Sequence, residues 1–322
     1  MSQNLTIAVA LALALVPATS IAATTDTHRE ANFTGPLVTP AVNSMPTGMI
    51  NIEPYLIHTH VRGVYDNDGR RSERNAKLGQ WQLAVPMMYA LTDTNFVQLT
   101  LNASRTSGQG LHSDGMRMGD TTVRFQQRLR GPDADGGGLV LSVAAAQRLP
   151  TGAYHHLDTN PLNGTGNGAM RTTLALGAQQ LHWLDEGHAV RWRAQLAWSP
   201  SPGRIRVRDA SIYGTGTGFR GHARLGQAWN ASVAAEYALN RHWVLVGEAI
   251  WNRASAVTLG GVAANGSRMA SRLSPSQEFS LAPAVEYHVG PNLGLIAGVQ
   301  FTVEGRNTSD YVAPQVALNM VF

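Results

Sequence analysis

Apolar and polar residues alternate along most of this chain, and the alternation restricts the folds open to it. In "DTTVRFQQRLR", Val123, Phe125 and Leu129 fall on one side, while Arg124 and Arg128 fall on the other. Successive side chains of a β-strand point to opposite faces, so a period of two residues predicts strands with one apolar and one polar face. This period dominates the sequence from residue 48 onward.

The alternating segments are long for β-strands. Most contain about 10–13 residues, whereas a strand of a soluble protein usually has about 5–6 and a tilted strand needs about 9–11 to cross a bilayer. The length therefore favours strands that span a membrane. About twelve such segments can be delimited, at 49–61, 79–91, 95–105, 119–130, 138–149, 170–183, 189–199, 221–239, 243–254, 277–289, 293–303 and 310–322.

Short and long connections alternate between these segments. The short ones fall at 92–94, 131–137, 185–188, 240–242 and 290–292, and the long ones at 62–78, 106–118, 150–169, 200–220, 255–276 and 304–309. Lipid offers no hydrogen-bond partners, so a membrane-spanning sheet must close on itself. The pattern predicts an all-β fold: a closed antiparallel transmembrane β-barrel of about 12 strands over 48–322, with short periplasmic turns and long extracellular loops. A secreted soluble sandwich or solenoid explains the alternation, but neither the strand length nor the loop asymmetry.

Both ends of the chain point to export and membrane assembly. Residues 1–23 are an apolar stretch followed by small residues, which predicts a cleaved signal peptide. The Pro-rich residues 24–47 are predicted to be a periplasmic lead-in to the first strand, with a plug of the barrel as the alternative. Gln315, Met320 and the terminal Phe322 resemble the signal that the outer-membrane barrel-assembly machinery reads. We therefore expect a protein of a Gram-negative outer membrane, in contact with its lipids and with that machinery.

Composition excludes several classes of protein. There is no Cys, which removes disulfides and thiol chemistry. The formal charge is +4, and the basic residues are scattered Arg with Lys77 as the sole Lys, so we expect no nucleic-acid partner. "GTGTGF" at 214–219 lacks the strand-to-helix unit of a nucleotide loop, and no cofactor is predicted.

Enzyme and metal sites find little support in the sequence. A lipase would need a Ser and a His side by side, but His112 and Ser113 are adjacent and would point to opposite faces of a strand. His155, His156 and Asp158 are a conceivable metal cluster, yet His pairs in loops are more often solvated, and we predict no metal site. The protein is predicted not to be an enzyme.

The charged residues of the polar face are the candidate functional residues. A mixed-sign wall can orient polar solutes, and the same charges can instead pair and brace the wall, because enclosed ions are costly without partners. Both roles remain open. The lumen-lining candidates are Glu53, Arg124, Arg128, Arg148, Arg171, Arg191, Arg193, Glu236, Glu248, Glu278 and Glu286.

Several motifs carry a family resemblance that covers nearly all of the mature chain. They are "FTGPLVTPAVNSMPTGMINIEPYL", "GQWQLAVPMMYALTD", "GDTTVRFQQRL", "AQRLPTG" and the final strand ending in Phe322. Together they resemble the outer-membrane family named for the MetA pathway of phenol degradation. The resemblance implies a barrel for passive passage of small hydrophobic or aromatic solutes. The alternative is a structural or surface-recognition barrel that acts through its long loops.

Overall fold

One antiparallel sheet forms the wall of the molecule and closes on itself. The computed structural model describes residues 31–133, 136–184 and 188–322, with the backbone alone for 74–77. The predicted signal peptide, 1–23, and residues 24–30 lie outside these ranges. No helix among the described residues is long and apolar enough to cross a membrane. The strands are β1 Ile50–Ile52, β2 Tyr55–Tyr65, β3 Arg71–Thr92, β4 Asn95–Gly108, β5 Leu111–His112, β6 Arg117–Met118, β7 Thr121–Arg130, β8 Leu139–Leu149, β9 Arg171–Trp183, β10 Ala189–Ser199, β11 Arg204–Arg208, β12 Arg220–Arg224, β13 Ala228–Ala238, β14 Trp243–Ala254, β15 Val257–Val262, β16 Arg268–Leu273, β17 Ser276–Leu281, β18 Ala284–Gly290, β19 Leu293–Arg306 and β20 Thr308–Val321, and a 3₁₀ helix spans Pro161–Asn163.

The wall has twelve strand positions, which confirms the predicted barrel. The pieces β1 and β2 share one position because both pair with β3 and β20. Likewise β17 and β18 share one, since both pair with β14 and β19. The two-residue strands β5 and β6 only add to β4. Each of the twelve predicted segments corresponds to one of these positions.

The last strand closes the barrel against the first. In β20, Val316 and Gln315 pair with Leu56 and Ile57 of β2, and the other edge of β20 pairs with β19. The amide of Phe322 donates to Ile50 O at 2.8 Å, and the amide of Ile50 donates to Phe322 O at 2.9 Å. The apolar alternation of the final residues thus reflects their place in the wall, where their backbone groups are paired.

The two faces of the wall differ as the alternation predicts. Trp192, Leu318 and Leu83 are 49%, 43% and 38% exposed, whereas Glu236 and Arg193 are 0% and 7% exposed. The apolar side chains therefore face outward, and the charged ones are enclosed. Exposed aromatic residues lie toward the strand ends, as in the girdles of membrane barrels, among them Tyr89, Trp243, Tyr287 and Phe322.

The rim of the barrel that carries the long connections, called the long-connection rim below, contains regular β-structure as well as loops. The segment predicted as a loop at 62–78 is instead a hairpin, since β2 extends to Tyr65 and β3 starts at Arg71. Segments 200–220 and 255–276, with the start of the predicted wall segment 221–239, contribute a separate four-stranded sheet in the order β11-β12-β15-β16. Residues 221–224 belong to β12 of that sheet, and the wall strand β13 starts only at Ala228. The sequence expectation of plain loops was wrong here. Strand pairing continues beyond the apolar belt, where exposed polar side chains replace the apolar ones.

Candidate functional site in the barrel lumen

Residues 31–47, called the inner segment below, run along the inner side of the wall and bind its carboxylates. The amide of Thr34 donates to Glu286 Oε2 at 2.5 Å. The amides of Val38 and Thr39 donate to Glu248, at 3.1 and 2.7 Å. Charged acceptors make the stronger kind of hydrogen bond. Two wall carboxylates thus fix the backbone of the inner segment.

The opposite part of the wall binds the same segment through side-chain donors. The Gln126 Nε2 atom, in β7, donates to Ala41 O at 3.1 Å and to Val42 O at 3.0 Å. Arg128 donates to Asn43 Oδ1 at 2.7 Å. Because β7 and β14 lie at distant wall positions, the inner segment crosses between them. Acceptors of the segment meet donors of β7, and its amides meet the acceptors of β14.

Apolar packing completes the attachment. Leu37 is 7% exposed and packs in a cluster with small and branched wall residues, Ala238, Val244, Val246, Ala284, Ile296 and Ala317. Three glycines of the wall leave room for the segment. A Cβ on Gly294 would lie 2.1 Å from Thr34 Oγ1, and one on Gly298 would lie 2.6 Å from Leu37 Cδ1. A Cβ on Gly177 would lie 3.2 Å from Val42 Cγ2. A glycine inside a strand commonly marks such a close approach.

A buried charge cluster lies beside the inner segment. Arg191 and Arg193, on β10, both contact Glu236 on β13, with Arg191 Nε at 2.7 Å and Arg193 Nε at 3.2 Å from Oε2. The guanidinium of Arg191 also stacks over the Phe33 ring, 4.2 Å from its centroid. A buried pair of opposite charges braces a structure only while both partners remain. These charged side chains therefore bind one another and the inner segment.

A cavity of about 300 Å³ separates part of the inner segment from the wall. Glu53, Tyr55, Arg193 and Gln315 line it, and residues 34–41 form its other side. This places Gln315 of the predicted assembly signal on the enclosed face. Met320 pairs with Leu293 in the wall, and Phe322, the other apolar member of that signal, is 66% exposed.

A second cavity of about 380 Å³, called the outer chamber, lies toward the rim of the long connections. Its wall includes Arg148, the penultimate residue of β8, and Arg171, the first residue of β9, which lie directly opposite each other in the sheet. Like charges in that position repel. Arg171 donates to Gly226 O, but within the described part of the chain neither guanidinium has a carboxylate in ion-pair range.

The remaining polar residues of the lumen connect to neutral groups. Glu278 lines the outer chamber and accepts a hydrogen bond from the Tyr311 hydroxyl at 3.0 Å. Arg124 donates to Gln126 Oε1 at 2.6 Å and to Gln195 Oε1 at 3.3 Å. Most of the eleven predicted candidates thus bind the inner segment or each other. Arg148 and Arg171 are the two candidates whose guanidinium groups can still bind a solute. The predictions missed Gln126 and the three glycines, although these glycines fall at enclosed positions of alternating strands.

The loops above the lumen hold one another through polar contacts. Asp114 Oδ2 accepts from Asn163 Nδ2 at 2.6 Å, and its Oδ1 accepts from Asn160 Nδ2 at 3.1 Å. These bonds lower the pKa of Asp114. They join the connection between β4 and β7 to the one between β8 and β9.

The conceivable metal cluster in the sequence divides in the structure. The ring of His155 stacks on Tyr154, with ring centroids 4.2 Å apart. His156 and Asp158 instead approach Asp209, with their ligand atoms within 4.8 Å of one another. His156 Nδ1 lies 2.6 Å from Asp209 Oδ2, and Asp158 accepts from the amide of Ala210 at 3.1 Å. These contacts join the connection between β8 and β9 to the one between β11 and β12.

Solved structures similar to this one are bacterial membrane barrels. An outer membrane channel from Pseudomonas putida F1 aligns with a TM-score of 0.62 and 16% identity, over 88% of this chain and 100% of that one. The translocator domain of the autotransporter NalP from Neisseria meningitidis aligns with a TM-score of 0.41 and 14% identity, over 87% and 90% of the two chains. A TodX monoaromatic hydrocarbon channel mutant aligns at 0.39 with 10% identity, over 86% and 90%. At these identities the likeness concerns the fold.

Comparison with protein sequences gives a family. No curated protein sequence matches this chain. The model of one family matches residues 61–314, which include most of the wall from β2 to β20. This range contains the motifs "GQWQLAVPMMYALTD", "GDTTVRFQQRL" and "AQRLPTG", on which the sequence resemblance rests. The chain belongs to the family described as "Putative MetA-pathway of phenol degradation".

Proposed function

We propose that this protein is a channel of a Gram-negative outer membrane through which small molecules pass down their concentration gradient. The observation that carries the proposal is a closed wall with an apolar outer belt around a polar, partly open lumen. The barrel fold shared with an outer membrane channel supports it. We assign no catalytic step, and transport by a gradient needs none.

The chemistry of the outer chamber favours a class of solute. Arg148 and Arg171 face each other, and no carboxylate among the described residues pairs with them, so a negatively charged group entering the chamber relieves their repulsion. The family description, which refers to phenol degradation, supports an aromatic body. The solute class is therefore small aromatic or otherwise hydrophobic molecules that carry an acidic group.

The inner segment, in this proposal, is the plug that the sequence offered as the alternative to a lead-in. Its backbone is bonded to Glu286 and Glu248 on one side and to Gln126 on the other. A segment attached across the lumen narrows any path between the two mouths. Passage then requires a solute to slip past it or the segment to move.

Purified protein reconstituted into a planar bilayer tests the proposal. We expect conductance with a preference for anions, measured as a reversal potential in a salt gradient, and uptake of benzoate faster than of benzylamine. The double variant Arg148→Gln with Arg171→Gln should lose most of that preference. A matched control is Arg105→Gln with Arg130→Gln, two exposed arginines of β4 and β7 that do not line the outer chamber. A silent bilayer, or equal loss in both variants, contradicts the proposal.

The alternative function is recognition of a ligand at the cell surface through the long loops. The observation favouring it is the ordered network around Asp114, which fixes two loops to each other. A silent bilayer together with saturable binding of a ligand that is lost on trimming residues 150–169 supports this alternative.

Export and assembly form the last part of the proposal. Residues 1–23 act as a cleaved signal, and the assembly machinery recognises the final strand. Support comes from the place of β20, whose pairing with β2 closes the barrel. Assembly machinery that completes the wall has to bring β20 to β2.

A further inference from the structure

The four-stranded sheet at the long-connection rim has one face rich in arginine. Strands β11, β12, β15 and β16 contain no acidic residue. Seven exposed arginines lie on β11, β12 and β16, and the register places them on one face, together with His222, Thr258 and Val262. The arginines of this face, called the arginine face below, are Arg204, Arg206, Arg208, Arg220, Arg224, Arg268 and Arg272. Along the sequence the arginines are scattered, but the fold collects these seven on one surface.

The register places like charges directly beside one another. Arg204 pairs with Arg224, and Arg208 pairs with Arg220. Facing like charges in an antiparallel sheet are destabilising. The formal charge of the whole chain is only +4, so the rest of the protein is net negative and these arginines still lack acidic neighbours in the sheet. Such an arrangement is stable only if a polyanion or solvent offsets the repulsion.

The other face of this sheet is packed, so the arginine face cannot turn inward. Ile205, Val207, Ala223 and Leu259 are buried there in a cluster with Phe219. A Cβ on either Gly221 or Gly261 would lie 2.6 Å from the Phe219 ring, so the two glycines make room for it. The sheet therefore has one fixed orientation, with its apolar face covered and its arginines outside.

The arginine face stands just above the apolar belt. Trp198 of β10 pairs with Trp229 of β13 on the outward side, and Trp251 lies on the neighbouring β14. In membrane barrels such aromatic residues mark the boundary between acyl chains and headgroups. Arg204 follows Trp198 by six residues and Arg224 precedes Trp229 by five. Even fully extended, these stretches place the first row of arginines within about 20 Å of that boundary.

We propose that the arginine face binds the phosphate groups of the phosphorylated glycolipid in the outer leaflet, anchoring the barrel rim to the membrane surface. The inference rests on the proposed outer-membrane location. Forked guanidinium groups match phosphate oxygens in geometry and charge. A lipid phosphate is the anion that is always present at this depth, and several arginines spaced along a flat sheet suit a surface of many phosphates. None of the seven lines the outer chamber, which separates this surface from the solute path.

Binding of lipid A to the purified barrel in neutral detergent tests the inference. Thermophoresis is used to compare diphosphoryl lipid A with lipid A from which both phosphates have been removed. We expect diphosphoryl lipid A to bind at least about ten-fold more tightly at low salt and to lose affinity as NaCl is raised. Inorganic phosphate at the same phosphate concentration should not displace it, because the docked species is a lipid.

The decisive variant is Arg204→Gln with Arg224→Gln, which removes two arginines that face each other. Each basic residue near an anionic surface contributes about a five-fold gain in affinity, so affinity for diphosphoryl lipid A should fall at least about ten-fold. The control, Arg130→Gln with Arg241→Gln, changes the charge equally at the short-turn rim. Heat-modifiable mobility in gels verifies that each barrel is folded.

A thermal measurement separates a ligand site from a purely structural role. Without lipid A, the Arg204→Gln, Arg224→Gln barrel should melt at the same or a higher temperature, because a like-charge pair is gone. With diphosphoryl lipid A, the wild type should gain stability and the variant should gain less. Equal binding of both lipids by the wild type, or equal loss in control and variant, overturns the inference while leaving the channel proposal untouched.

Discussion

The Cβ of Thr34 lies 3.2 Å from the place that a Cβ on Gly294 would occupy. Only glycine at that position of β19 allows the inner segment to approach the wall so closely. The same relationship recurs between Leu37 and Gly298. The inner segment is therefore fitted to the wall at particular points, and substitutions at those points test whether it controls passage.

A disulfide between these two residues should lock the inner segment in place. Disulfides join Cβ atoms about 3.5–4.5 Å apart, so Thr34→Cys with Gly294→Cys needs only a small adjustment. The chain has no Cys, and no other thiol competes. If the segment must move for passage, conductance in a planar bilayer should fall to background when the pair is oxidised and return with dithiothreitol.

The two single variants, Thr34→Cys and Gly294→Cys, are the controls and should not respond to dithiothreitol. Equal conductance of the oxidised and reduced double variant means that solutes pass a fixed segment. That result refutes gating by the segment and leaves passive passage standing.

Glu248→Gln should loosen the inner segment. The carboxylate accepts from the amides of Val38 and Thr39, and a hydrogen bond to a charged group contributes about 1.5–3 kcal/mol. We expect faster hydrogen exchange at these two amides and a higher open probability. Glu278→Gln is the control, because Glu278 bonds to Tyr311 and not to the segment. Unchanged exchange at Val38 and Thr39 in the Glu248 variant contradicts the assignment.

The wall was predictable from sequence because its physics is local. A strand in lipid needs apolar residues outside at every second position, and Trp192 beside Arg193 already shows that requirement. The two-residue period also predicts which charged side chains are enclosed. The same rule could not reveal the four-stranded sheet, since β11, β12, β15 and β16 are only five or six residues long and lie among turn-forming residues.

The partners inside the lumen were not predictable in the same way. Glu248 meets residues more than two hundred positions away, and nothing in the alternation of β14 indicates which segment it binds. The sequence did contain one indication of this contact: Gly294 and Gly298 fall on the enclosed face. Glycines that face inward imply that another backbone lies close to the wall. This indication gives the location of a contact but not its partner.

The attachment of the inner segment at the short-turn rim should depend on pH. Asp93 Oδ1 accepts from Thr47 Oγ1 at 2.6 Å and from the Thr47 amide at 2.7 Å, and these bonds lower the pKa of Asp93. A carboxyl whose pKa is lowered in the folded state stabilises that state above its unfolded pKa, about 3.9. The contribution is lost as pH falls through the lowered value.

Thr47→Val should therefore raise the pKa of Asp93 toward its ordinary value, because the hydroxyl donor is removed. Carboxyl ¹³C chemical shifts followed by NMR through the acid range measure it. Thr94→Val is the control: the Thr94 hydroxyl is next to Asp93 but bonds to the Thr92 hydroxyl, so its loss should leave the pKa of Asp93 unchanged. An unchanged pKa in the Thr47 variant means that the backbone amide alone lowers it.

Phe322→Ser should reduce the yield of assembled barrel. The residue is 66% exposed at the end of the closing strand, and its backbone bonds to Ile50. Loss of the ring leaves those backbone bonds possible, so a defect points to recognition rather than to folded-state stability. Heat-modifiable protein in outer-membrane fractions measures the yield. The neighbouring Val321→Ser is the control, and equal yields for Phe322→Ser and wild type remove the recognition role.

Adjacent residues of β10 give the most direct test of which side of the wall meets lipid. Leu196 is 45% exposed on the outward face, while Gln195 lines the outer chamber. A basic residue on the lipid face of a barrel costs about 2–4 kcal/mol at mid-depth, whereas a lumen position tolerates it. Leu196→Lys should therefore lower the free energy of unfolding, measured by guanidinium titration in lipid vesicles, far more than Gln195→Lys. The charge and the strand are the same in both variants, so only the face differs. A larger loss for Gln195→Lys would mean that the apolar face is not the one in contact with lipid, and the channel assignment would fall with it.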